Sequence, residues 1–214
     1  RDWSSDVCSS DLIASKIQKV SETEYNVDRA VVDNILAYAA GAPVQHAQVV
    51  EGLGHHEQVA LRAEGVVAPL ILMSYYNPIL SRGLARFAAD ARAAGVDGVI
   101  VPDLPAEESD DLIAAVEPVG IDVIFLVAPT TPDARLRAIA ARARGFLYCV
   151  SLTGVTGARQ SLPDDLPTYL ARVRAFTDVP LAVGFGVSRP EHVASLRGVA
   201  DAAIIASAII DRMD

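Results

Sequence analysis

The regular alternation of short apolar runs with longer segments rich in alanine and arginine is the feature that most constrains the fold of this chain. It begins near Val66 and continues to the end of the 214-residue sequence. Such alternation is typical of repeated strand–helix units around a parallel sheet. The runs VIFLVA, FLYCVS and AAIIAS are apolar throughout, as expected of strands that are buried on both faces. The sequence therefore predicts an α/β fold for this region.

Six strands and five helices are expected. The strands are Ala68–Tyr75, Gly98–Pro102, Val123–Ala128, Gly145–Ser151, Leu181–Gly184 and Ala202–Ala206. The helices are Gly83–Ala94, Ala106–Val116, Thr131–Ala143, Asp165–Thr177 and Arg189–Leu196. Gly95, Gly120 and Gly145 recur 25 residues apart, where a helix must reverse into the next strand. A (β/α)8 barrel has this repeat, but a doubly wound open sheet has the same alternation, so the chemistry of the strand ends must decide.

Composition and charge narrow the class of protein. The chain is 51% hydrophobic with a net charge of −9, which suits a domain with an aliphatic core and argues against a nucleic-acid partner. There is no apolar run of 18 residues and no charged leader before an apolar segment, so a membrane span and a signal peptide are not expected. Cys8 and Cys149 form neither a disulfide framework nor a metal-binding pattern. A cytoplasmic location is the expectation.

The N-terminal part differs from the rest. Residues 1–12 resemble translated sequencing-adapter read-through, so we treat them as an artefact without a fold. Lys16 and Lys19 are the only lysines, whereas residues 37–214 contain fourteen arginines. Residues 13–63 are therefore interpreted as a separate segment, a helix followed by a connector, and residues 64–214 as a partial barrel. The stretch 17–36 also looks somewhat like a type II secretion component, and a periplasmic fusion is an alternative.

Three strand ends carry small residues that suit an anion. The loop 152–158 contains Gly154 and Gly157, the next strand ends at Gly184-Phe185-Gly186, and the last strand runs into Ser207. Glycines allow backbone N–H groups to approach a phosphate closely, and a helix N-terminus adds partial positive charge. Barrel enzymes commonly hold phosphate at the ends of strands 7 and 8. This pattern predicts a phosphate site, although the same glycines would also serve simple tight turns.

Several strings resemble the alpha subunit of tryptophan synthase, in order and with matching gaps across residues 66–214. They are LMSYYNPI, VDGVIVPDLPAEES, YCVSLTGVTGAR, PLAVGFGVS and IIASAII. The resemblance implies strands 3 to 8 of a (β/α)8 TIM barrel, with strands 1 and 2 missing or replaced. It also implies a lyase of tryptophan biosynthesis that cleaves indole-3-glycerol phosphate to indole and glyceraldehyde 3-phosphate. The alpha subunit needs no cofactor, because pyridoxal phosphate belongs to the beta subunit with which it assembles as a heterotetramer.

The resemblance also implies the roles of individual residues. The substrate phosphate is expected on the backbone of Gly157, Gly186, Ala206 and Ser207, where Ala206 departs from the family's usual glycine. Side-chain contacts with the substrate are expected from Leu72, Tyr75, Ile100, Leu126, Tyr148, Thr156 and Phe185. Tyr148 is also given a supporting catalytic role. Leu72, Ile100 and Leu126 are equally consistent with plain core packing. The loop Asp103-Leu104-Pro105 is expected to face the beta subunit, and no metal site is expected.

The family's two proton-transfer carboxylates, a Glu after strand 1 and an Asp after strand 2, have no matching string here. Residues 1–63 contain acidic side chains, including Glu51, but none of them follows a recognisable apolar strand. Because general acid–base catalysis typically supplies about 10²- to 10⁴-fold in rate, we expect impaired activity. Two other functions stay open: a non-catalytic module that binds a phosphate ligand or regulates a beta subunit, and another sugar-phosphate barrel enzyme.

Overall fold

A computed structural model describes residues 48–51, 69–151, 163–184, 187 and 189–205, and the structural statements below concern these residues. Eight strand segments occur in this part of the chain. They are β1 Gln48–Glu51, β2 Leu70–Met73, β3 Gly98–Ile100, β4 Asp122–Ile124, β5 Leu126–Val127, β6 Leu147–Val150, β7 Leu181–Gly184 and β8 Ala202–Ala203. Every strand pairing is parallel.

Six α-helices connect the strands along the described part of the chain. They are α1 Tyr76–Arg82, α2 Leu84–Ala93, α3 Asp110–Val116, α4 Asp133–Ala140, α5 Leu166–Arg174 and α6 Pro190–Ser195. Short 3-10 turns at Ala106–Glu108 and Glu117–Val119 flank α3. Left-handed glycines reverse the chain where the sequence predicts it, at Gly95, Gly120 and Gly145. None of the helices in the described ranges has the length and apolar character needed to cross a membrane.

The strands follow one another in the order of the sequence. One sheet has the order β1-β2-β3-β4 and the other has the order β5-β6-β7-β8. β4 and β5 are separated only by Phe125, whose carbonyl accepts the N–H of Tyr148 on β6 at 2.9 Å, so the pairing continues across the junction. Counting β4 and β5 as one position, the described strands occupy seven neighbouring positions. Sequential parallel strands joined by helices are the topology of a TIM barrel, which has eight.

The buried side chains separate into two clusters. The outer cluster lies between the sheet and the helices and includes Val99, Val123, Cys149 and Leu170. The inner cluster consists of Ile71, Met73, Ile100, Ile124, Phe146, Tyr148, Ala182 and Ile204. Neighbouring residues of a strand alternate between the clusters because successive side chains point to opposite faces. The inner cluster is thus the barrel interior, which confirms the predicted α/β barrel class.

Two local features differ from the sequence-based prediction. The segment that we interpreted as a connector without assigning its structure includes β1, which pairs with β2 so that Glu51 is in register with Met73. Glu51 therefore does end a strand, and the expectation that no N-terminal acid does so is wrong. The predicted strand to Tyr75 instead stops at Met73, and α1 begins at Tyr76. The extended backbone of Tyr75 makes this transition, which an apolar pattern alone does not reveal.

Candidate functional site

Tyr148 forms the wall of the barrel interior near the C-terminal ends of the strands. It lies on β6 opposite Ala182 of β7, and its side chain is 4% exposed. A Cβ atom built on Gly184 would lie 2.3 Å from the Tyr148 phenol oxygen, so the ring packs directly on the Gly184 backbone. Gly184 is two residues further along β7 than Ala182, which shows that the phenol extends toward the C-terminal end of the barrel. Active sites of TIM barrels lie at that end.

Two rows of paired residues continue the wall around the interior. Met73, Ile100 and Ile124 are neighbours in register across β2, β3 and β4. Leu126 is paired with Tyr148 across β5 and β6. The structure therefore brings together three of the predicted substrate contacts, Ile100, Leu126 and Tyr148, on one apolar inner surface. Such a surface suits a flat apolar ring.

Leu72 is placed differently from the prediction. It packs against the outer cluster, whereas its neighbours Ile71 and Met73 belong to the inner one. A strand that is apolar throughout gives no signal of which alternate residues face inward, so the sequence could not distinguish Leu72 from Met73. Met73 is the residue of β2 that the prediction missed. Tyr75 is 61% exposed and lies at the rim, between the end of β2 and the start of α1.

Ser151 fastens the C-terminal ends of β6 and β7 to each other. Its backbone N–H and its side-chain hydroxyl both donate to the carbonyl oxygen of Gly184, at 3.0 and 2.8 Å. The Ser151 side chain is 2% exposed. Ser151 lies in the string YCVSLTGVTGAR, but the resemblance gave this residue no role. A polar residue at the end of an apolar strand is a usable signal.

The predicted partner-facing loop follows β3. Asp103 is exposed and its carboxylate accepts the N–H of Tyr76 at 2.9 Å, which ties the loop to the start of α1. Pro105 is half-buried, whereas Leu104 is buried in the outer cluster and does not face solvent. A cavity of about 140 Å³ lies between this loop and α4. An ion pair between Arg135 and Glu107 joins the same two elements, with 3.0 Å between nitrogen and oxygen.

No Asp or Glu is among the buried side chains of the described residues, whose buried polar members are Ser109, Ser151 and His192. Within the same ranges, no three His, Cys, Asp or Glu side chains are grouped so that they could hold a metal ion. On the other face of β6, burial raises the pKa of the Cys149 thiol to about 12. That thiol is protonated at neutral pH and lies in the outer cluster, so it takes no part in the interior site.

Six predicted site residues lie outside the described residues: Thr156, Gly157, Phe185, Gly186, Ala206 and Ser207. The described neighbours locate the strands from which they follow. Gly157 comes after β6, Phe185 and Gly186 directly follow β7, and Ala206 comes after β8. Their roles therefore stay predictions.

Comparison with known proteins identifies a single family. The family model described as the tryptophan synthase alpha chain matches residues 37–214, starting inside the segment 13–63 that the sequence pattern left outside the barrel. The chain is 56% identical over 151 residues to the tryptophan synthase alpha chain of Roseiflexus castenholzii, covering 71% of this chain and 58% of that protein. It is 42% identical over 179 residues to that of Carboxydothermus hydrogenoformans, covering 81% and 67%.

The fold matches solved structures of the same kind. A structure of the tryptophan synthase a2b2 complex from Pyrococcus furiosus superposes with a TM-score of 0.69 at 39% identity. The match covers 75% of this chain and 66% of that one. The chain thus spans rather less than two thirds of the length of several proteins that it resembles, including 58% of the Roseiflexus relative.

Proposed function

This chain belongs to the tryptophan synthase alpha chain family, and we propose on this basis that it binds indole-3-glycerol phosphate and cleaves it to indole and glyceraldehyde 3-phosphate. We further propose that cleavage is slow in this polypeptide. The observation that carries the proposal is the apolar inner wall of Ile100, Leu126 and Tyr148 at the C-terminal end of a family-type barrel.

The indole ring of the substrate fits this wall chemically. Ile100 and Tyr148 are buried side chains and Leu126 is half-buried, so they offer an apolar surface that excludes water. Met73 replaces Leu72 as the proposed contact from β2, because it belongs to the inner cluster. Tyr148 adds a phenol group near the C-terminal end, where a hydroxyl can orient a polar part of the substrate.

The phosphate group would then lie where the chain continues beyond β6, β7 and β8. We assign it to the backbone of Gly157, Gly186, Ala206 and Ser207, as the family pattern implies. Support comes from the described strands, because β6 and β7 are paired in register as far as Val150 and Gly184. The loops that follow these strands consequently start side by side at the C-terminal end of the barrel.

The chemical step needs two proton-transfer groups. An acid protonates the indole ring carbon that bears the glycerol chain, and a base removes a proton from the adjacent glycerol hydroxyl while the carbon–carbon bond breaks. The only polar group that the inner wall supplies is the Tyr148 phenol, and no Asp or Glu is buried among the described residues. Slow cleavage follows unless a carboxylate from the N-terminal part takes part.

Glu51 is the carboxylate that we propose to test for this role. It is the last residue of β1, in register with Met73 of β2, so its backbone lies at the C-terminal end of a strand beside the inner wall. The backbone register supports this choice. The one other acidic residue of the described strands, Asp122 on β4, lies at the opposite end of the barrel.

A beta subunit is the proposed protein partner, in an assembly of the a2b2 type. The exposed Asp103 and Tyr75 lie on adjacent loops at the C-terminal end, and the hydrogen bond from the Tyr76 N–H to Asp103 joins those loops. Binding at this surface would therefore act on α1 and β3 together. The proposal includes a cytoplasmic location, no membrane or nucleic-acid partner, and no cofactor on this chain.

A paired assay tests the function. Cleavage of indole-3-glycerol phosphate is measured with a beta subunit present, and binding of indolepropanol phosphate is measured by calorimetric titration. We expect binding with turnover several powers of ten below that of a full-length family member. Glu51→Gln should lower any residual turnover about 10²-fold or more if Glu51 transfers a proton, whereas Glu117→Gln, at the far end of the barrel, should not. Absence of binding would refute the proposed function.

A non-catalytic binding module is the second candidate. The observation that favours it is that no Asp or Glu is buried among the described residues. The same assay separates the two, because a module binds indolepropanol phosphate without turnover and is unaffected by Glu51→Gln.

A further inference from the structure

The Gly184 carbonyl oxygen accepts two hydrogen bonds from one residue. The Ser151 N–H makes the ladder bond between β6 and β7 at 3.0 Å, and the Ser151 hydroxyl adds a second bond at 2.8 Å. The hydroxyl is buried, where an unpaired polar group would be costly, so this bond is strongly favoured over solvent. The pair of bonds fixes both the distance between the two strand ends and their relative rotation.

The location of this pair of hydrogen bonds matters more than their strength. Ser151 immediately precedes the loop that contains Gly157, and Gly184 immediately precedes Phe185 and Gly186. The two loops to which the proposed function assigns the phosphate therefore start from the two residues that the Ser151 hydroxyl joins. Glycine backbone has more conformational freedom than that of other residues, so the second bond adds a restraint on the peptide group from which residues 185 and 186 continue.

We propose that Ser151 is a positioning residue for the substrate phosphate. Its hydroxyl holds the starts of the two phosphate-binding loops at the separation that the phosphate requires. This inference rests on the proposed function, since it presumes that ligand phosphate is bound by those loops. Ser151 itself need not touch the ligand.

Three variants and two ligands test the proposal. Ser151→Ala removes the hydroxyl and keeps the ladder bond, and Ser151→Thr keeps a γ-oxygen. Ser109→Ala is the matched control, because Ser109 is also buried and its hydroxyl donates to a backbone carbonyl, that of Ala106, at 2.8 Å. The ligands are indolepropanol phosphate and indolepropanol, which differ only in the phosphate. Dissociation constants are measured by calorimetric titration, and stability is measured by urea unfolding.

We expect Ser151→Ala to weaken indolepropanol phosphate binding about three- to tenfold, because the starts of the two loops are then less well ordered before the ligand binds, while indolepropanol binding changes less than about twofold. Ser151→Thr should restore most of the phosphate-dependent affinity. Ser109→Ala should lower stability to a similar extent without changing either dissociation constant.

An equal loss for both ligands would show a purely structural role and overturn the inference. So would an unchanged dissociation constant for indolepropanol phosphate in Ser151→Ala, and in both cases the proposed function would stand as long as the unsubstituted chain binds the ligand. Failure of the unsubstituted chain to bind indolepropanol phosphate would overturn the proposed function and this inference together.

Discussion

At the scale of single residues, the contact between Tyr148 and Gly184 shapes the interior wall. The Tyr148 side chain fills the space that any side chain at position 184 would need, since a Cβ atom there would lie 2.3 to 2.6 Å from the phenol oxygen and two ring carbons. Gly184 is thus required for space, in contrast to Gly198, whose φ of +77° requires glycine for its backbone conformation.

Gly184→Ala is therefore predicted to displace the Tyr148 ring. Overpacking of this kind typically costs about 1–3 kcal/mol, and the shifted ring would also weaken indolepropanol phosphate binding by about tenfold or more. Urea unfolding and calorimetric titration measure the two effects. Gly198→Ala is the control, because nothing lies within 4 Å of its added Cβ. It should reduce stability through backbone strain and leave binding unchanged, and a Gly184→Ala variant that behaves in the same way would contradict the prediction.

Cys149 and Tyr169 make stability depend on pH in alkaline solution. Burial raises the pKa of Cys149 from 9.0 to about 12, and burial also raises the pKa of Tyr169, whose hydroxyl has no hydrogen-bond partner within the described residues. Above pH 9 the unfolded chain releases these protons before the folded chain does. The free energy of unfolding should therefore fall between about pH 9 and 12, by up to about 1.4 kcal/mol per pH unit for each group.

Urea unfolding from pH 7 to 10.5 measures this slope. Cys149→Ala should remove the part of the slope that begins near pH 9. Tyr169→Phe should remove the part that begins near pH 10. If the slope persists unchanged in the double variant, other titrating groups cause the pH dependence of stability.

At the scale of elements, two aspartates at the N-terminal end of the barrel each accept a hydrogen bond from the first backbone N–H of a strand. Asp97, just before β3, accepts the N–H of Leu70 at the start of β2, at 3.0 Å. Asp201, just before β8, accepts the N–H of Leu181 at the start of β7, at 2.7 Å, and also pairs with Arg174. Each carboxylate satisfies the first backbone donor of the preceding strand, which would otherwise be left without a partner.

Asp97→Ala and Asp201→Ala should each cost about 1–3 kcal/mol of stability, because each leaves a strand N–H unsatisfied. Both residues lie at the end of the barrel opposite the site, where residues contribute to stability rather than to catalysis, so ligand affinity should stay the same. Urea unfolding and calorimetric titration of each variant give the two numbers. The exposed Asp164 provides the control, since Asp164→Ala should change stability by less than about 0.5 kcal/mol. A fall in ligand affinity would show that the two ends of the barrel are coupled.

At the scale of the whole molecule, the described strands account for seven of the eight positions of a barrel. In these ranges β1 and β8 are each paired on one side only. Inner-cluster residues extend from Ile71 on β2 to Ile204 after β8, so the sheet curves around a common interior. Edge strands with unpaired backbone groups can pair with strands of other chains, which promotes association.

We therefore expect the purified 214-residue polypeptide to self-associate as its concentration rises, because the two edges can pair between molecules. Sedimentation velocity over a hundredfold range of concentration measures this, with a full-length alpha chain of the family run at the same concentrations as the control. A single sedimentation coefficient that is independent of concentration would contradict the expectation. It would show that another part of the chain covers the edges.

The accuracy of each sequence-based prediction depends on the physical signal on which that prediction rests. The helices are predicted to within four residues at each end, with the exception of the missed α1, because apolar spacing and left-handed glycines mark them directly. Every described strand except β1 overlaps a predicted strand, since buried parallel strands are apolar runs. The placement of Leu72 and that of Glu51 were not predicted. The placement of Leu72 depends on which face of β2 it lies on, and that of Glu51 depends on the pairing of β1 with β2.

The sequence by itself determined the family, the alternating α/β pattern and the strand order, because apolar periodicity and family-specific strings are local properties of the chain. Only the tertiary structure decided that Met73 rather than Leu72 faces the interior, that Tyr148 packs on Gly184, and that the Ser151 hydroxyl joins β6 to β7. These three depend on the curvature and register of the sheet, which bring together residues more than thirty positions apart in the last two cases. Local sequence does not determine such contacts, because they depend on the hydrogen bonds between strands and on the packing of the whole core.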